Sequence, residues 1–187
     1  MKKRVFIIHG WAGHPQDDWF TWLKKELENK GFEVYVPQMP ETDNPRIYNW
    51  VPVLQKIVKA PDEKTYFVGH SMGNQTIARY LESLSEGLKI GGVIFVAGFF
   101  KRLVGLNEEE KLIANHWLET PINLKKIKSH FDKSIAIFSD NDPFVSDDNQ
   151  EDFKRIFGSK IIIEHNNRHF NSPELPIVLE SVLKISK

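Results

Sequence analysis

Cysteine is absent from all 187 residues. Its absence excludes disulfides, thiolate metal sites and a cysteine nucleophile, and it fits a reducing compartment. An excess of one charge is missing too. The 25 Lys and Arg balance 25 Asp and Glu, so there is no electrostatic footprint for nucleic acid or an anionic membrane surface. No apolar run approaches the roughly 20 residues that span a bilayer. The basic start, Lys2-Lys3-Arg4, is followed only by Val5 to Ile8 before His9-Gly10 interrupts. That is too short for the apolar stretch of a signal peptide, so a cytoplasmic protein is expected. Phosphate-cradling glycine loops are also lacking, since neither Gly-x-Gly-x-x-Gly nor Gly-Lys-Ser/Thr follows a strand. His165 and His169 have the spacing of a helical metal pair, but His-Glu-x-x-His does not occur and their segment reads as a loop. Asp140-Asn141-Asp142 lacks the glycine and distal glutamate of a calcium loop. The expectation is no metal and no other cofactor.

What is present suits a globular chain. Hydrophobic residues make up 41% and aromatics 12%, enough to fill one core, and neither a repeat nor a linker divides the sequence. Residues 1–187 are expected to form a single domain. Short apolar runs at 5–8, 32–36, 65–68, 91–98, 134–138 and 160–164 read as strands. Between them, helical spacing covers 17–30, with Asp17 or Asp18 as cap, then 47–59, the stretch after Ser71, 108–117, 122–130, 148–157 and 174–185. Pro52 would kink the second of these unless it lies in the first turn. Alternating strands and helices imply right-handed crossovers and an α/β fold: a doubly wound sheet of about six parallel strands, its site at their carboxyl ends. Residues 99–133 are too few for a large lid domain.

The stretch with the most chemistry in it is Tyr66-Phe67-Val68-Gly69-His70-Ser71-Met72-Gly73. An apolar strand runs into Gly-x-Ser-x-Gly, and a helix-like segment follows, which is the setting of a nucleophile elbow. A serine in such a one-residue turn holds its Oγ above the sheet. The helix that starts there favours negative charge developing beside Ser71. In this arrangement the remaining parts follow as Asp or Glu, then His, in loops after later strands. Ser139-Asp140-Asn141-Asp142-Pro143 and His165-Asn166-Asn167-Arg168-His169 fill those two places. His169 is favoured over His165, which directly follows its strand. Asp142, poised for a turn before Pro143, is favoured over Asp140. Two backbone N–H groups, of Met72 and of Trp11 with Ala12 behind it, are the candidates for an oxyanion hole.

With these residues in view, the sequence resembles the α/β-hydrolases, and within them the compact YdeN-like serine hydrolases that include the vertebrate retinoblastoma-binding serine hydrolase. The resemblance rests on His9-Gly10-x-x-Gly13 with Trp19, Val36-Pro37-Gln38-Met39-Pro40 leading to Trp50, Gly69-His70-Ser71-Met72-Gly73, Ser139-x-x-Asp142-Pro143-x-Val145, and Arg168-His169-Phe170 with Glu174-Leu175-Pro176. It implies a triad of Ser71, Asp142 and His169, a small sheet, and hydrolysis of small esters or amides. One departure is Arg168, where the family usually has glycine before the catalytic histidine. Some of Trp11, His14, Phe99, Phe100, Trp117 and Phe144 are expected to border a shallow, open site. The expected partner is a small-molecule ester or amide, not nucleic acid or membrane. A protein-binding module on the same fold is the alternative.

Overall fold

Val5-Phe6-Ile7-Ile8 is apolar on both sides of the pleat, so its strand has to be covered on both faces. It forms most of β1 (Arg4–Ile8), which lies between two other strands with those four residues fully buried. The structure, a computed structural model, describes residues 2–187. After β1 come α1 (Phe20–Asn29), β2 (Glu33–Tyr35), α2 (Ile47–Ile57), β3 (Thr65–His70), α3 (Met72–Glu82) and β4 (Gly92–Val96). The chain continues through α4 (Glu108–Glu119), α5 (Leu124–Ser129), β5 (Ser134–Ser139), α6 (Asp148–Phe157), β6 (Lys160–Glu164) and α7 (Pro176–Ile185).

Every strand pairs in parallel, in the order β2-β1-β3-β4-β5-β6. The chain leaves β1 toward β2 on one side and returns as β3 on the other. The order therefore reverses between β1 and β3, and the crevice beyond their carboxyl ends is where such sheets bind ligands. α1 and α7 pack together over one face, and α2, α3, α5 and α6 form a continuous layer over the other. Aromatics join that layer to the sheet. Phe95 of β4 lies 5.0 Å from Phe153 and 5.5 Å from Phe157 of α6, ring centre to ring centre. Burial of each such ring contributes about 1.5–3 kcal/mol. Among the described residues no helix is long and apolar enough to cross a membrane.

The boundaries differ from expectation where short polar side chains compete with the backbone. α1 starts at Phe20 and its cap is Trp19, without a side-chain bond. Asp17 instead accepts the His14 N–H at 2.7 Å, closing a turn ahead of the helix, and Asp18 sits outside it at φ 47°. Pro52 lies in the second turn of α2, not the first. It is tolerated because both it and Tyr48, the residue four earlier whose carbonyl loses its partner, face solvent. β3 runs on through His70 to the elbow itself.

Candidate active site

Ser71 has φ 50° and ψ −118°, a conformation an L-residue adopts only under constraint from its surroundings. The constraint is close packing. A Cβ on Gly69 would meet the Asn74 side chain, and one on Gly73 would meet the Ile8 carbonyl and lie 2.8 Å from the His9 carbonyl, so α3 can double back only over glycines. The Ser71 N–H donates to the Val96 carbonyl at 3.0 Å, and the Asn74 side-chain amide donates to that same oxygen at 2.7 Å. Nothing among the described residues hydrogen-bonds the Ser71 hydroxyl.

Two backbone donors beside the serine have no acceptor among the described residues. Met72 is the first residue of α3, so its N–H has no intrahelical acceptor. The Trp11 N–H also has no partner among the described residues, whereas that of Ala12 is spent on the Thr42 carbonyl at 2.8 Å. Trp11 is held by its indole N–H on the Asp43 carbonyl at 3.0 Å. His9, a residue the sequence did not single out for a role of its own, shapes this loop from beneath. Its Nδ1–H donates to the Gly10 carbonyl at 2.9 Å and its Nε2 accepts the Met39 N–H at 3.1 Å. Burial lowers its pKa, so the ring serves here as a neutral bracket.

Across the crevice, both oxygens of Asp142 lie within reach of His169 Nδ1, at 3.0 and 2.9 Å. The Asp142 side chain is 2% exposed and that of His169 13%. Asp142 also closes its own turn, accepting the Phe144 N–H at 2.9 Å and the Val145 N–H at 3.1 Å. The two rival residues pair with each other. His165 Nδ1 meets Asp140 at 2.6 Å in a contact whose side chains are 82% and 41% exposed, which lowers the Asp140 pKa and raises that of His165.

The loop that carries His169 is held by the loop that carries Asp142. Asp140 accepts the Asn166 N–H at 2.9 Å, Ser139 Oγ the Asn167 N–H at 3.1 Å, and the Asn141 side chain the Arg168 N–H at 2.8 Å. These bonds accompany a contorted backbone, with Asn166, Arg168 and Phe170 at φ 58°, 47° and 60°. Arg168 therefore adopts the left-handed conformation that glycine would take there without strain.

Two cavities meet at the serine, and Trp11, Ala12, Ser71 and His169 line both. The larger, about 490 Å³, has Leu103, Leu106, Ile113 and Phe144 as its apolar walls and also carries Glu109 and Glu110. The smaller, about 310 Å³, is polar and carries Asp17, Asp18 and Asn171. Of the residues expected to border the site, Trp11 and Phe144 do so. Phe99 is fully buried, Phe100 packs 5.0 Å from Phe153, and Gln75 and Asn149 bind the backbone of 99–101 to the core. Trp117 is buried against Trp50, its indole N–H on the Pro45 carbonyl at 2.9 Å. His14 lies exposed on the turn before α1 and lines neither cavity. In these positions core packing claimed the aromatics, and the aliphatic wall from 103 to 113 was missed because scattered Leu and Ile residues carry no signal of their own. Among the described residues no three His, Asp or Glu side chains gather as a metal site.

A six-stranded parallel sheet with a serine at the β3–α3 elbow and an Asp–His pair across the crevice is the architecture of an α/β-hydrolase. The chain belongs to the serine hydrolase family, whose sequence pattern matches residues 5–175. It is 30% identical to the hydrolase YdeN of Bacillus subtilis over 184 residues, 96% of this chain and 94% of that one. It is 27% identical to the serine hydrolase RBBP9 of Rattus norvegicus over 157 residues, 83% of this chain and 80% of that one. The crystal structure of the B. subtilis ydeN gene product superposes with a TM-score of 0.90 at 28% identity, covering 98% of each chain. A monoacylglycerol lipase of Paleococcus ferrophilus shares the fold at a TM-score of 0.71 and 14% identity, covering 98% of this chain and 95% of that one.

Proposed function

We propose that the protein hydrolyses small carboxylic esters through an acyl-enzyme on Ser71, with His169 as general base and acid and Asp142 orienting it. The reading is carried by the buried Asp142 carboxylate on His169 Nδ1, which leaves Nε2 as the ring's proton acceptor in cavities that also contain Ser71. Ser71 Oγ attacks the ester carbonyl while His169 Nε2 takes its proton. The carbonyl oxygen becomes an oxyanion facing the free N–H groups of Trp11 and Met72. Collapse of the tetrahedral intermediate breaks the bond to the alcohol oxygen, which takes the proton from Nε2. Water then repeats the sequence on the acyl-enzyme, releasing the acid and restoring Ser71.

The cavities support a division of the substrate. The apolar one suits an aliphatic or small aromatic acyl group, and Glu109 and Glu110 disfavour a second carboxylate on it. The polar one suits a small hydroxylated alcohol. Amides of similar size fit the same space, with a higher barrier to expelling the amine. A cytoplasmic location accords with the absence of cysteine.

The test is labelling with a fluorophosphonate together with turnover of short-chain p-nitrophenyl esters. One residue, Ser71, should be labelled, and Ser71→Ala should remove both labelling and turnover. Undiminished labelling of Ser71→Ala would overturn the assignment. A folded native protein that neither labels nor turns over any simple ester would favour a protein-binding role on the same fold.

A further inference from the structure

We infer that His70, the residue before the nucleophile, is a positioning residue that works with Trp19 to clamp the backbone of the general base. The inference rests on the role proposed for His169. His70 Nε2 lies 2.8 Å from the His169 carbonyl oxygen, and a carbonyl can only accept, so Nε2 carries the proton and donates. One residue further on, the Phe170 carbonyl accepts the Trp19 indole N–H at 3.0 Å. Two consecutive carbonyls of the histidine loop are thus held by side chains from β3 and from the start of α1.

The loop needs such a hold. The bonds from Ser139, Asp140 and Asn141 fix the N–H groups of 166 to 168, ahead of the histidine, and Asp142 fixes its ring. The backbone leaving His169 turns at Phe170 with φ 60°, against its preference. The Phe170 N–H donates to the Asn167 carbonyl at 2.8 Å, and among the described residues only His70 and Trp19 bind the carbonyls of 169 and 170. His70 is itself immobilised, 4% exposed, its ring centre 5.9 Å from those of Trp19 and Phe20 and 5.0 Å from that of His169. Because His70 adjoins Ser71, the clamp ties the base's loop to the nucleophile's own turn. A displacement of about 1 Å between two such groups costs on the order of 10²-fold in rate.

Burial lowers the His70 pKa to about 3, aided by the neighbouring His169 ring. Near neutral pH the ring is uncharged. It therefore cannot serve as a second proton shuttle near neutrality, and its service is the geometry of its N–H.

The clamp is tested with His70→Leu, His70→Gln and Trp19→Phe, using ester hydrolysis and the downfield proton NMR signal of His169 Nδ1–H in its bond to Asp142. Glutamine can place its amide N–H near the position of imidazole Nε2, and leucine cannot. His70→Leu should lower kcat about 10²-fold with KM within about threefold, and should weaken or broaden the NMR signal. His70→Gln should recover kcat to within about tenfold of the native value and restore the signal. Trp19→Phe should lower kcat about tenfold on its own. Native kcat in a folded His70→Leu, or a Gln variant as impaired as Leu, would overturn the clamp. Should the Leu variant not fold, Trp19→Phe decides, because native kcat with a native signal would refute the inference. Should the native protein hydrolyse nothing, the hydrolase reading fails, and the NMR comparison still tests the clamp.

Discussion

Replacing Asp142 with asparagine separates the two tasks its carboxylate performs. One oxygen closes the local turn by accepting the Phe144 and Val145 N–H groups, and asparagine retains a carbonyl oxygen for that. The other faces His169 Nδ1 at 2.9 Å, and there the asparagine would present NH₂. A donor facing Nδ1 forces the proton onto Nε2, the atom that receives the Ser71 proton in the proposed mechanism, and leaves the imidazolium without a counter-charge. The expected loss in kcat at neutral pH is about 10⁴-fold, equivalent to about 5.4 kcal/mol of transition-state stabilisation. The folded state loses one charge-assisted hydrogen bond, a cost of about 1.5–3 kcal/mol and hence a Tm lower by roughly 3–10 °C.

The assay is ester turnover beside a melting curve, with two controls that break the exposed pair from either side. Asp140→Asn keeps an acceptor for the Asn166 N–H, and His165→Ala removes a largely exposed ring. Both should leave kcat within about threefold, since solvent screens an exposed pair of this kind and it contributes little. An Asp142→Asn variant retaining more than a tenth of native kcat, or a folded Asp140→Asn that is the worse of the two, would refute the assignment of the acid.

Two further outcomes follow from the backbone and from burial. Arg168 at φ 47° gives up about 1 kcal/mol to strain, similar to what glycine loses in unfolded-state entropy, so Arg168→Gly should leave Tm and kcat near native. Arg168→Val should lower both, and the opposite order in melting and turnover assays would refute the strain argument. Unfolded His70 binds a proton near pH 6.5, whereas the folded ring stays neutral down to about pH 3. Between those values the unfolded state holds more protons, and stability falls by up to about 1.4 kcal/mol per pH unit as pH drops. In denaturant titrations His70→Gln should flatten this acid limb, and an unchanged slope would show that the ring is not buried as a neutral group.

The parts legible in the sequence are those where one residue type has one structural use. Val5 to Ile8 could only be an interior strand, Gly69 and Gly73 had to flank a close approach, and an aspartate ahead of Pro143 suited a turn. The boundaries of α1 were not legible, because Asp17 and Asp18 can cap a helix or close a turn with equal chemistry, and the choice lies with the His14 N–H three residues away. Phe99, Phe100 and Trp117 stand among the candidates for the site because an aromatic serves a pocket and a core alike. Gln75, Asn149 and Pro45 decide between the two, and all three are distant in sequence.

His70 shows the limit from the other direction. As a letter inside Gly-x-Ser-x-Gly it occupies an x, a position the motif leaves free, and its alternation along β3 says only that it shares a face with Tyr66 and Val68. Its contact lies 99 residues away, at a carbonyl, a group that every residue possesses and that no side-chain pattern can announce. The same holds for the Trp19 indole, 151 residues from the Phe170 carbonyl it binds. Side-chain chemistry in this chain was readable at Asp142 and His169, where both partners are side chains, though not at the equally close pair of Asp140 and His165. It was hidden when one partner was backbone. A loop shaped mainly by bonds to its backbone, with Arg168 standing where glycine would do, can accept changes at its exposed side chains while its anchors remain in place, which is the behaviour the Arg168 and His70 variants are expected to separate.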